Sequence, residues 1–178
     1  MQTNNTDKRA IILSGGEIAE LIKSTFKDKS GEQEQPAGFD LTVSKVYSFQ
    51  KTQYSLETSK TENSELVELP APEDWFDLSE GAYVAELNEI TTIPGDAIGI
   101  LFPRSTLLRN GLDLRTALFD PGYSGQPKVL LVCYRPAKIK RFARVGQLVI
   151  IRSNKEFERQ YAGRYQGERE LSNSLSSA

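Results

Sequence analysis

The chain has 178 residues, of which 38% are hydrophobic and 26% charged, with a formal net charge of −2. This is ordinary composition for a globular domain with its own core, and no apolar run approaches the roughly 20 residues that span a bilayer. There is no His, and Cys133 is the single Cys. These two facts exclude an internal disulfide framework, zinc-dependent nucleobase deamination, and Ser-His or Cys-His nucleophile chemistry. A general base must be Asp, Glu, Lys or Tyr, and a metal would need oxygen ligands, which suits magnesium-like ions. The polar start MQTNNTDKRA has no apolar stretch of a secretory signal, so a cytoplasmic location is expected.

In chain order, residues 1–9 read as a flexible arm, 10–168 as a single domain and 169–178 as a mobile tail, the polar character of the tail setting in from Ala162. Ser14 has the position of a helix N-cap, with Glu17 as its capping-box partner. Ile18, Leu21, Ile22 and Phe26 recur at helical spacing, so one helix is predicted from Gly15 to Phe26. Short β-type runs follow at Asp40–Phe49, Gly81–Leu87, Ala97–Phe102, Lys128–Tyr134, Lys138–Phe142 and Gln147–Arg152. Turn clusters such as IPGD, RNG and DPGYSG separate them. Thr52 to Glu65 is polar and aperiodic, a loop or weak hairpin. Many short strands at close spacing predict a mainly β fold, a barrel or jelly roll, with a short N-terminal helix.

Charge is unevenly placed along this order. Glu57 to Asp96 holds eleven acidic residues and one basic; Leu101 to Arg152 holds ten basic and two acidic. A basic half suits a polyanion such as a nucleotide or nucleic acid, though it reads equally as a solvated surface. A binder of single strands would interleave aromatics with its cations, and Tyr123, Tyr134 and Phe142 are not clustered that way. No nucleic-acid or membrane partner is expected.

Five segments remain: PAGFDL (36–41), FPRSTLLRNG (102–111), TALFDPGYSG (116–125), VGQLVI (145–150) and RYQGE (164–168). In the second, Arg104, Ser105 and Arg109 combine guanidinium and hydroxyl groups of the kind that cradle phosphate oxygens. In the third, Asp120 precedes a Pro-Gly turn, where a carboxylate can orient and deprotonate water, and Tyr123 offers a flat face to a sugar. Each segment alone reads more simply as a surface turn, a self-capping Asp or a structural amide at Gln147.

In this order and spacing the five segments together resemble the dUTPase and dCTP deaminase superfamily, from about Ile11 to Glu168. The AIILSGGEI start and RYQGE end are similar to the deaminase-type branch; the Gly-rich, Phe-containing end of classical dUTPases is absent. The resemblance implies a homotrimer of distorted β-barrel subunits of the dUTPase-like β-clip type, with active sites between subunits. It implies that Arg104, Ser105 and Gln147 hold a triphosphate, that Thr106 and Arg109 belong to the same site, and that Asp120 contacts the deoxyribose and holds the attacking water. Tyr161, Arg164 and Gln166 match tail residues that close on the phosphates. Arg164 stands where deaminases usually carry Lys.

Deaminases of this superfamily use a Glu five residues past the final Gly of the turn. Here that residue is Leu130, and no Glu occurs between Ile90 and Lys155. Leucine moves no proton, whereas hydrolysis of the triphosphate needs only a positioned water and charge neutralisation, with Mg2+ on the phosphates. The expected reaction is dUTP plus water to dUMP and pyrophosphate. The alternatives are a dCTP deaminase, possibly bifunctional, and a silent nucleotide-binding regulatory module. Pro127, having no N–H to give a ladder, is expected at a strand start or edge.

Overall fold

A computed structural model describes residues 10–24, 32–50, 54 and 64–168. In chain order the strands are β1 (Ile11–Ile12), β2 (Ile22–Ser24), β3 (Glu34–Gln35), β4 (Gly38–Phe49), β5 (Leu66–Glu68), β6 (Trp75–Leu78) and β7 (Gly81–Leu87). They continue as β8 (Glu89–Thr92), β9 (Ala97–Pro103), β10 (Leu112–Arg115), β11 (Ser124–Gly125), β12 (Lys128–Cys133), β13 (Ala137–Lys140) and β14 (Arg144–Arg152). Two five-residue α-helices punctuate them, α1 (Gly15–Ala19) and α2 (Ser105–Arg109). The fold is mainly β, as expected.

The main sheet runs β1-β14-β4-β7-β12-β10, with β9 added on β14; β11-β8-β2 and β13-β6 form two smaller sheets. β4 is the strand that curls it. Its first half pairs with β14 from Phe39 to Thr42, and its second with β7 from Val43 to Ser48. Both pairings shift register at the crossing, between Arg144 and Gly146 and between Val43 and Lys45. Bulges of this kind bend a strand and raise its twist, so one strand serves two faces of the barrel.

Alternation sets what each strand buries. β12 turns Val129, Leu131 and Cys133 inward, and β14 turns in Val145, Leu148 and Ile150. Leu148 and Leu131 are fully enclosed, and truncating either to Ala would cost about 2–5 kcal/mol. Burial also raises the pKa of the Cys133 thiol, so it packs as a small hydrophobe.

The capping box forms as expected: Ser14 N–H donates to Glu17 Oε2 at 2.8 Å and Glu17 N–H to Ser14 Oγ at 3.4 Å. The helix, however, ends at Ala19 rather than Phe26. Two glycines open it, which weakens propagation. From Ile22 the backbone instead pairs with β8, Ile22 opposite Thr91. Apolar residues at 18, 21 and 22 satisfy a helix and a turn into a strand equally well. Phe26 lies outside the described residues, as do the N-terminal arm, nearly all of 52–65, and 169–178. Pro127 sits directly before β12, its carbonyl accepting Leu87 N–H at 2.9 Å.

Glu89 holds the crossing together. It is completely buried and accepts from Thr42 N–H (2.8 Å), Thr42 Oγ1 (2.8 Å), Gln33 Nε2 (2.9 Å) and Asn88 Nδ2 (3.4 Å). Burial raises its pKa, and the four donors pull the other way without reversing the shift. A carboxyl with a raised folded pKa stabilises fully below its unfolded value, near 4.5, and loses that contribution as pH rises through the folded value. The stability gap between wild type and Glu89→Gln, measured by urea unfolding from about pH 4 to pH 8, should therefore narrow as pH rises. A gap independent of pH would show that Glu89 is not the titrating group.

Candidate active site

The expected site residues fall into two groups. The first gathers where β9 ends. Arg104 has extended backbone (φ −65°, ψ 144°), its N–H donates to Val145 O at 3.0 Å, and its carbonyl starts α2 by accepting Leu107 N–H at 2.9 Å. Ser105, Thr106 and Arg109 follow on α2, all exposed. Asn110 Nδ2 closes the helix on Thr106 O at 2.8 Å, and Gly111, at φ 73°, turns the chain back into β10. Arg109 makes no ion pair among the described residues.

Beneath Arg104 lies Asp40, whose carboxylate is 2% exposed. Arg104 Nε stands 2.9 Å and Arg144 Nη1 3.6 Å from its Oδ2. The first contact is close but not aligned as a hydrogen bond, and Oδ2 has no hydrogen-bond partner among the described residues. Burial raises the pKa of Asp40 against the pull of both guanidinium groups. Arg144 is tied in turn to Glu32, Nη2 to Oε2 at 2.7 Å. Arg104 spends Nε on this carboxylate, which leaves its two Nη groups for another acceptor. Gln147 completes the group. It lies in β14 between Asp40 of β4 and Phe102 of β9, half-buried. The Gly of PAGFDL makes that possible: a Cβ at Gly38 would stand 2.8 Å from both Gln147 Cγ and Leu148 O.

The second group is the Asp120 turn. Phe119 pairs with Gly99 of β9, each N–H donating to the other's carbonyl at 2.9 Å. Asp120 O then accepts Tyr123 N–H at 3.1 Å, with Gly122 at φ 80°, a turn that needs Gly at its third position. It is thus the backbone, not the Asp120 side chain, that closes the turn. The carboxylate is exposed and has no partner among the described residues.

Tyr123 is less open than its sequence position suggests. Its ring is 8% exposed, tilted against Phe119 and edge-on to Tyr161, both at 5.6 Å between centroids. Burial, reinforced by Glu168 and Tyr161, raises its pKa well above the ordinary phenol value, so it stays protonated and is no base.

Residues 161–168, the polar end of the expected domain, are fastened to this turn. Tyr161 N–H donates to Pro121 O (2.7 Å), Gln166 accepts Ser124 N–H (3.1 Å) and donates to Gly122 O (3.0 Å), and Gly167 N–H donates to Ser124 O (2.8 Å). Arg164 is exposed on the same segment.

The two groups do not meet within one chain. Phe119 pairs with Gly99, and Arg104 lies five residues further along β9, roughly 16 Å at about 3.3 Å per residue. Asp40, Arg144 and Glu168 were not assigned roles from sequence. A buried Asp in an apolar strand beside a Gln-bearing strand is the signal that points to Asp40.

The fold is a curled, mainly β sheet that carries a cluster of cations where β9 ends and an exposed carboxylate on the Asp120 turn. Residues 12–153 match the family described as dCTP deaminase-like, and the chain belongs to that family within the dUTPase superfamily. It is 38% identical over 165 residues to the probable deoxyuridine 5'-triphosphate nucleotidohydrolase of Archaeoglobus fulgidus, covering 88% of this chain and 96% of that protein. It is 31% identical over 152 residues to the deoxyuridine 5'-triphosphate nucleotidohydrolase of Methanocaldococcus jannaschii, covering 84% and 97%. Among solved structures, the 2'-deoxycytidine 5'-triphosphate deaminase of Agrobacterium tumefaciens superimposes with a TM-score of 0.62 at 20% identity, over 81% of this chain and 49% of that one. That likeness is one of fold.

The close β4–β14 approach generates a prediction. Gly38→Ala should displace Gln147 and the Leu148 carbonyl, at a cost of about 1–3 kcal/mol in thermal or urea unfolding. An unchanged melting temperature would mean that the two strands separate there at no cost.

Proposed function

We propose that this chain is a dUTP diphosphatase, hydrolysing dUTP to dUMP and pyrophosphate in a homotrimer whose active sites each draw on more than one copy. The observation that carries the reading is the Asp120 carboxylate, exposed and uncommitted on a turn closed by the backbone. The relatives at 31–38% identity over most of the chain support the same reaction.

In this reading Asp120 orients a water behind the α-phosphorus and accepts its proton. The water oxygen bonds to that phosphorus as its bond to the bridging oxygen breaks, and the electron pair leaves with pyrophosphate. The work is mostly positioning and electrostatics. Arg104, Arg109 and Arg164 neutralise the departing charge, while Ser105, Thr106 and Gln147 donate to phosphate oxygens. Tyr123 and Tyr161 border the sugar, and Gln166 closes that side.

Among the described residues no three His, Cys, Asp or Glu gather as a metal cage. Mg2+ would enter with the substrate, held by the phosphate oxygens, hard donors that suit the ion. Bound there, the ion supplies neutralisation of the triphosphate. The separation of Arg104 from Asp120 supports a site completed by a neighbour.

With Mg2+ present, dUTP should give dUMP and pyrophosphate while dCTP is untouched. Conversion of dCTP to dUTP or dUMP would overturn the assignment. Asp120→Asn should bind nucleotide normally and lose roughly 10²–10⁴-fold in kcat; near-normal turnover would remove Asp120 from the chemistry. Mixed trimers of Asp120→Asn and Arg104→Ala chains should recover part of the activity that each variant lacks alone. No recovery would place a whole site within one chain.

A further inference from the structure

Lys128 opens β12 and bridges two carboxylates. Its side chain is 12% exposed, and its Nζ stands 2.6 Å from Glu168 Oε1 and 3.5 Å from Glu86 Oε2. Glu86 lies opposite Lys128 in the β7–β12 register and is completely buried, and its Oε2 also accepts Tyr47 Oη–H at 3.1 Å. A buried carboxylate needs a counter-cation, and Lys128 provides it. An ammonium has three donors, so one cation serves both Glu86 inside and Glu168 at the surface.

Glu168 is the last described residue of a segment that runs beside the Asp120 turn. Its carbonyl accepts Gln126 N–H at 2.7 Å, Gly167 donates to Ser124, and the Gln166 amide spans Gly122 and Ser124. Residues 166–168 therefore extend along 122–126, the stretch directly after Asp120 and Pro121. A Cβ at Gly125 would stand 3.2 Å from Glu168 O and 2.8 Å from Tyr123 Oη, so the contact is close. The backbone links in this seam are neutral hydrogen bonds; the Lys128–Glu168 pair adds a charged fastening, and it is rooted in the core through Glu86.

We propose that Lys128 and Glu168 are positioning residues: their ion pair fastens 166–168 against 122–126 and so fixes the turn that carries Asp120. The segment is a brace within its own subunit. The assignment rests on the reading of Asp120 as the group that holds water, and the test separates the two.

Glu168→Gln removes the surface charge and keeps the Lys128–Glu86 pair, so folding is preserved. Hydrogen exchange in the whole protein should show the amides of Ser124, Gln126 and Gly167 slow in wild type and about tenfold faster in the variant, with the core strands unchanged. In the same variant kcat for dUTP should fall about tenfold, by more than any rise in KM, because the turn carrying Asp120 loosens while Arg104, Ser105 and Gln147 stay in place. Unchanged exchange at those amides overturns the brace. Faster exchange with unchanged kcat overturns the positioning role. Wild type that does not hydrolyse dUTP defeats the reading of Asp120 and with it the positioning role, while the exchange measurement still decides the brace.

Discussion

The structure depends on how one strand changes partners without leaving backbone groups unpaired. β4 pairs with β14 and then with β7, and at the crossing both ladders slip register. A slip leaves N–H and C=O groups that no neighbouring strand can satisfy, and each one buried costs about 1–3 kcal/mol. Glu89 takes the Thr42 N–H and hydroxyl, and Asn88 N–H takes the Thr42 carbonyl at 2.8 Å. A buried carboxylate thus stands in for a missing strand edge. The first half of β4 carries Asp40, so the corner that lets the sheet curl also sets the floor under Arg104.

The same economy divides the site. Electrostatic preorganisation needs groups that do not move, so each half rests on buried support. Arg104 is backed by Asp40, and Asp40 is shared with Arg144, which is held by Glu32. Asp120 is backed by a turn whose carbonyls and N–H groups bond to Ile93 and to the 160–168 segment. The cation half and the carboxylate half are therefore rigid separately. Placing them on different parts of β9 keeps Asp120 and Arg104 from neutralising one another as an ion pair within a chain.

Much of this was legible in the residues, and the rest fails for identifiable reasons. Strands β9 and β12 alternate cleanly and β14 does so from Gly146 on, so period-2 patterning locates them to within a few residues. β6, β8 and β10 are four residues each, too short for periodicity to register. The N-terminal helix is overextended because tertiary pairing with β8 captures residues whose spacing also fits a helix. The site segments carried their identity through their joint order, which is why Arg104 and Asp120 stand out while Asp40 does not. Its importance lies in a contact with a residue 64 positions away, which no local pattern encodes. The C-terminal segment reads as a tail because its composition is polar, yet polar residues are what a seam of hydrogen bonds requires.

The geometry also bears on which of the superfamily's reactions this barrel supports. Ring deamination needs a carboxyl beside the base, and the residue at that position is Leu130, half-buried on β12 opposite Val84 of β7. Two carboxylates lie two residues away in the register: Glu86, opposite Lys128, and Asp113, opposite Val132 and ion-paired with Arg115 at 3.1 Å. Glu86 is enclosed at 0% exposure, with Tyr47 and Lys128 on its Oε2. To reach a nucleotide it would have to abandon a buried cation, a loss of the kind that costs about 3–5 kcal/mol. Glu89 is committed to the β4 crossing, no further Glu follows until position 156, and Glu168, past it, is engaged by Lys128 at 2.6 Å. The carboxylates that a slipped alignment would recruit are thus committed to structure. Among the described residues, Asp120 alone of those argued for the site presents an unpaired carboxylate to solvent, and under the proposed function such a carboxylate suits attack of water on phosphorus rather than proton shuttling on a ring.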